Sequence, residues 1–180
     1  MCGILCVYGP DAENAATKPQ VRANLIKRSK RLRHRGPDGT GVMICSSGIV
    51  EEELKTCENG NGHCHVNGTN GSKVSSPSYC FMAHERLNIV DASELGAQPQ
   101  SIELEDGGTI MWMCNGEIYN HSLLRSHELK DCNIVGHSDC AVIGHLYLKF
   151  GASFVGMLDG VFAVVLFDSR NGSLIVARGK

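Results

Sequence analysis

The apolar and polar positions along the chain predict more strands than helices. Six short, nearly uninterrupted apolar runs have the length of buried strands; they lie at residues 3–8, 41–45, 79–84, 110–114, 161–167 and 173–178. A turn at Ser169 to Gly172 separates the last two runs, which predicts an antiparallel hairpin. The pattern therefore predicts the α+β class with antiparallel sheet, in one domain that covers 1–180.

Two further segments have apolar residues at helical spacing. Residues 20–33 carry an apolar face formed by Val21, Leu25, Ile26 and Leu32, and the Gly-Pro pair that follows interrupts the helix. Residues 139–150 carry a second apolar face, formed by Val142, Ile143, Leu146, Tyr147 and Phe150. Ser138 precedes this segment and is a suitable N-cap.

The segment 57–78 differs in composition from the rest of the chain. It is rich in Gly, Asn and Ser and has almost no large apolar side chain to bury, so we interpret it as a flexible surface insertion. His63, Cys64 and His65, with Cys57 nearby, raise the question of a zinc site. Their spacing matches no four-ligand zinc pattern, so we expect no metal here.

Composition and charge exclude several classes of protein. The net charge is −2, which gives no reason to expect nucleic acid as a partner. The longest clean apolar run, 161–167, is too short to cross a bilayer, and no basic segment precedes the apolar N-terminus, as a signal peptide would require. Nine cysteines without an export signal indicate free thiols in a reducing compartment. We therefore expect a cytoplasmic protein with no membrane partner.

Cys2 is the first residue that offers chemistry. Removal of Met1, which is usual when the second residue is small, would leave Cys2 with both a thiol and a free α-amine. An ordinary α-amine has a pKa of roughly 7.7–8.0, so part of it can accept a proton at cellular pH. Nucleophile and base for acyl transfer would then belong to one residue. A cysteine at position two usually has no such role, so this hypothesis depends on the remaining motifs.

Seven short motifs together resemble a known family. They are MCGI at the N-terminus, RHRGPDG at 33–39, HERLNIVD at 84–91, GAQP at 96–99, NGEIYNH at 115–121, SDCAVI at 138–143 and LDGVFAVVLFD at 158–168. Each motif is moderately specific, but seven in the same order are highly specific. Over nearly the whole chain except 46–78, the sequence resembles the N-terminal glutaminase domain of glutamine-dependent asparagine synthetase, a class II amidotransferase.

The resemblance implies catalytic roles for three residues. Cys2 is the expected nucleophile on the side-chain amide of glutamine. Asn115, through its side chain, and Gly116, through its backbone N–H, are the expected oxyanion hole. Such donors stabilise the negative charge of a tetrahedral intermediate, and loss of one typically reduces the rate about 100- to 1,000-fold.

The resemblance also implies a set of substrate-binding residues. Arg86 is expected to bind the α-carboxylate of glutamine, and Glu117 and Asp139 to face its α-ammonium. In this family the backbone from Arg86 onwards also lines the substrate site, which adds Leu87, Asn88, Ile89 and Val90. From the residues alone, the three charged side chains would be interpreted as surface ions.

The family also implies a fold, a reaction and partners. The expected fold is the N-terminal-nucleophile hydrolase fold, a four-layer αββα sandwich of two antiparallel sheets. The expected reaction is hydrolysis of L-glutamine to glutamate and ammonia through a thioester, without cofactor. In the family a C-terminal synthetase domain uses ATP and Mg to make asparagine from aspartate. That domain has no counterpart in these 180 residues, so we expect no asparagine synthesis by this chain alone.

Several alternatives remain open from the sequence. The chain could be the glutaminase of another class II amidotransferase, although NGEIYNH together with RHRGPDG favours the asparagine-synthetase branch. It could also be an inactive structural or regulatory relative; the presence of Cys2, Asn115, Gly116, Arg86 and Asp139 argues against this. The oligomeric state, including a homodimer, is not indicated by any motif.

Overall fold

A computed structural model of the protein describes residues 2–10, 19–47, 63–66, 78–88 and 93–179. The strands are β1 Gly3–Pro10, β2 Gly39–Ser46, β3 His63–Val66, β4 Ser78–Arg86, β5 Gln100–Glu103, β6 Thr109–Ile118, β7 Gly160–Asp168 and β8 Ser173–Arg178. The α-helices are α1 Pro19–Ser29, α2 His121–Ser126 and α3 Val142–Phe150. Short 3₁₀ turns span Lys30–Leu32, Glu94–Gly96, Asp139–Ala141 and Gly151–Met157.

The strands form two antiparallel sheets. The first has the order β1-β4-β2, and the second has the order β3-β8-β7-β6-β5. β4 is the middle strand of the first sheet, and every residue from Ser78 to Glu85 is buried. A central strand covered on both faces is expected to be apolar throughout rather than alternating, which explains the continuous apolar run that predicted it.

Three apolar clusters show that the layers are ordered helix, sheet, sheet, helix. Between the sheets, the inward side chains of both pack together, with Met82 of β4 and Met111 of β6 among the fully buried ones. On the outside of the first sheet, Leu25 of α1 packs against Phe81. On the outside of the second sheet, α2 and α3 pack over β6, β7 and β8 through residues such as Leu124 and Leu146. The predicted αββα sandwich is confirmed.

The predicted strands and both predicted helices are present, with shifted ends. The α-helical part of 20–33 ends at Ser29 and its last turn is 3₁₀. Ser138 caps the second helical segment as predicted, because its hydroxyl accepts the N–H of Cys140 at 3.3 Å. β5 and α2, with four and six residues, were not predicted. Both are too short to show a clear periodicity.

Four residues of the segment 57–78 form a strand in the structure. Residues 63–66 form the edge strand β3, which pairs antiparallel with β8 from Ile175 to Arg178. The remaining residues of 57–78, apart from Ser78 at the start of β4, lie outside the described residues. Polar composition predicted a segment with nothing to bury, but an edge strand needs only backbone partners.

The segment Asp139–Met157 is long and apolar enough to cross a membrane by length and composition, the one such helix in the described part of the chain. Half of its most apolar window is buried inside the protein, and α3 within it packs on the second sheet. These are the features of a core helix.

Candidate active site

The candidate site begins where β6 loses its neighbour β5. The β5–β6 ladder ends at the pair Gln100–Trp112, whereas β6 continues to Ile118. Gln98 and Pro99 come immediately before β5, and no backbone pair joins them to β6. Beyond Trp112, β6 therefore has β7 on one side and an open edge on the other.

Side chains rather than a strand bind this open edge. The side-chain oxygen of Gln98 accepts the N–H of Cys114 at 2.6 Å, and a carboxylate oxygen of Asp139 accepts the N–H of Ile118 at 2.8 Å. Gly116 lies midway between these two residues. Because N–H groups alternate in direction along an antiparallel strand, the N–H of Gly116 faces the same edge.

Gly116 is required by its backbone and by its neighbour. Its φ is +143°, a conformation that side chains rarely adopt. A Cβ at this position would also overlap the carbonyl of Val161 on β7. The glycine thus allows β6 to lie unusually close to β7 at this point.

Cys2 faces the open edge from the other sheet. It directly precedes β1, is partly buried, and its Sγ accepts the N–H of Leu87 at 3.3 Å. The segment that carries Leu87 is itself held by Asp38 of the RHRGPDG motif. The N–H of Asp38 donates to the carbonyl of Arg86 at 3.0 Å, and its carboxylate accepts the N–H of Asn88 at 2.8 Å.

The same motif packs closely against β4 through Gly36. A Cβ on Gly36 would overlap the backbone carbonyl of Glu85, so only glycine permits this approach. Glu85 is fully buried, and its two carboxylate oxygens accept hydrogen bonds from Ser29 at 2.5 Å and Thr40 at 2.7 Å. The motif therefore positions the residues that follow β4 next to Cys2.

A cavity of about 280 Å³ lies between Cys2 and the open edge of β6. This is close to the lower end of the roughly 300–1,000 Å³ range of small-molecule sites, and suits a ligand as small as an amino acid. Most of the residues proposed from the sequence line it: Cys2, Arg86, Leu87, Gly116, Glu117 and Asp139. The cavity thus places a thiol, a cation and two carboxylates around one space.

The remaining predicted site residues lie beside the cavity or outside the described residues. Asn115 precedes Gly116 on β6 and has a buried side-chain oxygen without a hydrogen-bond partner in the structure. The side chain of Asn88 is exposed, and its backbone N–H binds Asp38. Ile89 and Val90 are outside the described residues.

The charged groups of the cavity differ in their burial. Asp139 is 6% exposed, whereas Glu117 is exposed. Arg86 is partly buried, and its guanidinium donates to the carbonyl of Ser93 at 2.9 Å. A cation and two carboxylates around one cavity, one of the carboxylates buried, match the two charges of an α-amino acid.

Two buried polar residues of the site were quoted in motifs without receiving a role. Gln98 belongs to GAQP and binds Cys114, as described above. His84 belongs to HERLNIVD, is 1% exposed, lines the cavity, and has its Nε2 3.3 Å from the carbonyl oxygen of Cys114. Burial lowers the pKa of His84 to about 4, helped by the nearby charge of Arg86 and opposed by the Cys114 carbonyl and Glu85.

Among the described side chains, no group of three or more His, Cys, Asp or Glu could hold a metal ion. The side chains of His63, Cys64 and His65 are outside the described set, so the absence of zinc there stays a prediction. The seven described cysteines are free thiols.

Comparison with known proteins agrees with the motif order. The chain is 41% identical over 178 residues to glutamine-hydrolyzing asparagine synthetase 3 of Arabidopsis thaliana. It is 40% identical to asparagine synthetase 2 of Oryza sativa subsp. japonica, and 38% identical to the asparagine synthetase of Zea mays. Each alignment covers 99% of this chain and 23–24% of the relative. The chain thus spans about a quarter of the length of these relatives.

Solved structures give a more distant likeness. A glutamine phosphoribosylpyrophosphate amidotransferase from B. subtilis is 15% identical, with a TM-score of 0.43 over 66% of this chain and 35% of that one. An allosteric regulatory enzyme of purine biosynthesis is 18% identical, with a TM-score of 0.42 over 55% and 28% of the two chains. Likenesses this distant carry no conclusion about the site.

A family model gives the decisive match. The model of the glutamine amidotransferase domain matches residues 45–180, which is most of the chain and includes β4, the open edge of β6 and Asp139. The chain therefore belongs to the glutamine amidotransferase domain family.

Proposed function

We propose that this domain hydrolyses L-glutamine to L-glutamate and ammonia, with Cys2 as the nucleophile. One observation carries the proposal: the thiol of Cys2, on one sheet, faces the edge of β6 that holds Gly116, on the other, across a cavity that also contains Arg86 and Asp139. Nucleophile, oxyanion donor and partners for both substrate charges are thus gathered around one space.

The reaction proceeds through a covalent intermediate. With Met1 removed, the α-amine of Cys2 takes the thiol proton, and the thiolate attacks the side-chain carbonyl carbon of glutamine. The oxyanion is stabilised by Asn115 and by the N–H of Gly116. The carbon–nitrogen bond then breaks, the amine returns the proton, and ammonia leaves a thioester on Cys2. Water hydrolyses the thioester, which releases glutamate and restores the thiol.

Arg86 and Asp139 select the substrate in this scheme. The guanidinium of Arg86 binds the α-carboxylate, and the buried carboxylate of Asp139 binds the α-ammonium, with Glu117 as a second, more exposed anion. The side-chain amide is then directed towards Cys2. An ammonium or amide donor from the substrate would also pair the buried oxygen of Asn115.

The use of the ammonia is proposed from the relatives. They are named as glutamine-hydrolyzing asparagine synthetases and are about four times as long as this chain. We therefore propose that the ammonia serves ATP-dependent synthesis of asparagine from aspartate, in a cytoplasmic protein, with the ATP- and Mg-using steps on a separate synthetase domain.

Replacing the nucleophile tests the proposal. Cys2→Ala is expected to abolish glutamate release from glutamine, measured on purified protein whose N-terminus has been confirmed by intact mass, while the melting temperature stays near that of the original. Cys132→Ala is the matched control, because Cys132 is also a partly buried free thiol but does not line the cavity.

Two outcomes would contradict the proposal. Glutamate release by Cys2→Ala at near the original rate would exclude Cys2 as the nucleophile. Full activity of a protein with an uncleavable extension before Cys2 would exclude the α-amine as the base, because an amide nitrogen cannot accept the thiol proton.

A further inference from the structure

We propose that His84 is a positioning residue for this reaction, because its imidazole fixes the β6 segment that carries Asn115 and Gly116 relative to Cys2. The inference rests on the proposed glutamine hydrolysis. It assigns to His84 no contact with the substrate. Its role is to fix the position of Asn115 and Gly116 on one sheet relative to Cys2 on the other.

The need for such a group follows from the topology. Cys2 precedes β1 in the three-stranded sheet, whereas Asn115 and Gly116 lie on β6 in the five-stranded sheet. Within the part of the chain that the structure describes, no ladder of backbone hydrogen bonds joins the two sheets. The relative position of nucleophile and oxyanion donors therefore depends on side chains in the space between the sheets.

The apolar side chains in that space are poorly suited to fixing a position. Many contain sulfur: Cys6, Met43, Cys45, Cys80, Met82, Met111 and Met113. Methionine is unbranched and adapts its shape to its surroundings, and apolar contacts have no preferred direction. A directional hydrogen bond is the interaction that would define the spacing more closely.

His84 supplies this hydrogen bond from the centre of the first sheet. It lies on β4, between Ile4 of β1 and Gly41 of β2, and reaches across to the carbonyl of Cys114 on β6. A carbonyl can only accept, so Nε2 carries the proton. Nδ1 is then the unprotonated nitrogen, and it is buried without a partner in the structure.

The accepting group lies directly before the predicted oxyanion residues. The carbonyl of Cys114 belongs to the same peptide unit as the N–H of Asn115, the first predicted oxyanion residue. The N–H of Cys114 is bound in turn by Gln98. His84 and Gln98 thus hold Cys114 on the open edge of β6, where β5 is not present as a neighbour.

The expected consequence is a change in turnover with little change in binding. Neither of the residues proposed to bind the charges of the substrate bonds to Cys114. Arg86 lies at the end of β4, and Asp139 accepts the N–H of Ile118. A displacement of about 1 Å at a reacting group can reduce the rate about 100-fold. We therefore expect loss of the His84 hydrogen bond to reduce kcat about 10- to 100-fold.

Three variants of His84 and one control test the inference. His84→Met has similar bulk but no hydrogen-bond donor. His84→Gln keeps an N–H donor at about the reach of Nε2. His84→Asn also keeps an N–H donor, but its side chain is too short to reach the other sheet. His145→Met is the control for loss of a histidine, because His145 is partly buried, though less than His84, and does not line this cavity. The measurements are kcat and KM for glutamine, melting temperature, and the glutamine Kd of each variant in a Cys2→Ala background.

We expect a low kcat in His84→Met and His84→Asn, and a kcat within about fivefold of the original in His84→Gln. The Kd for glutamine should change less than about threefold in all three variants. It is overturned if a folded His84→Met keeps its kcat, or if only KM and Kd change. If His84→Met does not fold, equal kcat in the Gln and Asn variants overturns it. Absence of Cys2-dependent activity in the original protein would instead contradict the proposed function.

Discussion

At the scale of single residues, the two carboxylates of the cavity are not equivalent. Asp139 is buried, and one of its oxygens is engaged by the N–H of Ile118. Glu117 is exposed, so water and salt screen its charge. A buried charge interacts more strongly with a ligand charge because fewer water molecules compete. Asp139 should therefore contribute most of the attraction for the α-ammonium.

Matched neutral substitutions test this ranking. Asp139→Asn is expected to raise the KM for glutamine at least tenfold, because the amide keeps an acceptor for Ile118 but loses the charge. Glu117→Gln should raise KM less than about threefold, since rim charges contribute little. Steady-state kinetics with glutamine measures both. Equal effects of the two substitutions would show that burial does not rank these carboxylates.

At the scale of elements, the polar strand β3 covers the edge of the second sheet. It pairs with residues 175–178 of β8 and covers the backbone of that strand. Without β3, β8 would become the edge of the sheet, with Val176 already 42% exposed. An uncovered edge strand presents unpaired N–H and C=O groups that can pair with another molecule.

Two loop replacements separate the strand from the rest of the segment. Replacement of 67–76 by a short Gly-Ser linker keeps β3 and is expected to leave stability nearly unchanged, since loop length affects closure entropy only by about 0.6 kcal/mol per doubling. Replacement of 59–76 removes β3 and is expected to lower the melting temperature and increase self-association. Thermal unfolding and size-exclusion chromatography at several concentrations measure these effects. Identical behaviour of the two proteins would mean that β3 does not protect the edge.

At the scale of the whole molecule, the packing of the two sheets depends on a histidine that must stay neutral. Burial lowers the pKa of His84 to about 4 from its ordinary 6.5. Between these values the unfolded chain binds a proton at this residue that the folded protein excludes. The contribution of His84 to the free energy of unfolding is therefore largest above about pH 6.5 and decreases as the pH falls towards 4.

The size of this effect is measurable. At about 1.36 kcal/mol for each pKa unit, His84 accounts for a loss on the order of 3 kcal/mol between neutral pH and pH 4. His84→Gln retains a donor but cannot titrate, so its unfolding free energy should decrease less over the same range. Urea unfolding at pH 7.5 and pH 4.5 gives both values. If the two proteins lose equal stability on acidification, His84 is not the group responsible.

Much of the fold could be predicted from local patterns. The strands β1, β2, β4, β6, β7 and β8 coincide with apolar runs because their side chains pack in the apolar clusters, fully buried in β4 and partly buried in β1 and β2. β5 and β3 could not be predicted, since each has four residues and is stabilised mainly by backbone pairing with a neighbour. That pairing depends on residues far away in the chain, and no local signal records it.

The site could be predicted in part for the same reason. Cys2, Arg86, Gly116, Glu117 and Asp139 lie in recognisable motifs, and the structure brings them to one cavity. His84 and Gln98 lie in motifs too, but their function consists of contacts with Cys114 across the molecule, which only the tertiary structure reveals. The catalytic and binding roles assigned to all of these residues stay predictions, as do those of Ile89 and Val90.

The late start of β5 at Gln100 has a consequence for how this protein can vary. The site exists because a strand is missing beside Cys114 and Gly116, so it depends on where β5 starts rather than on which side chains β5 carries. Substitutions within 100–103 should be widely tolerated. An insertion that lengthened β5 by two residues would fill the gap with backbone and close the site. Natural selection should therefore constrain the length of β5 more strongly than its amino-acid composition.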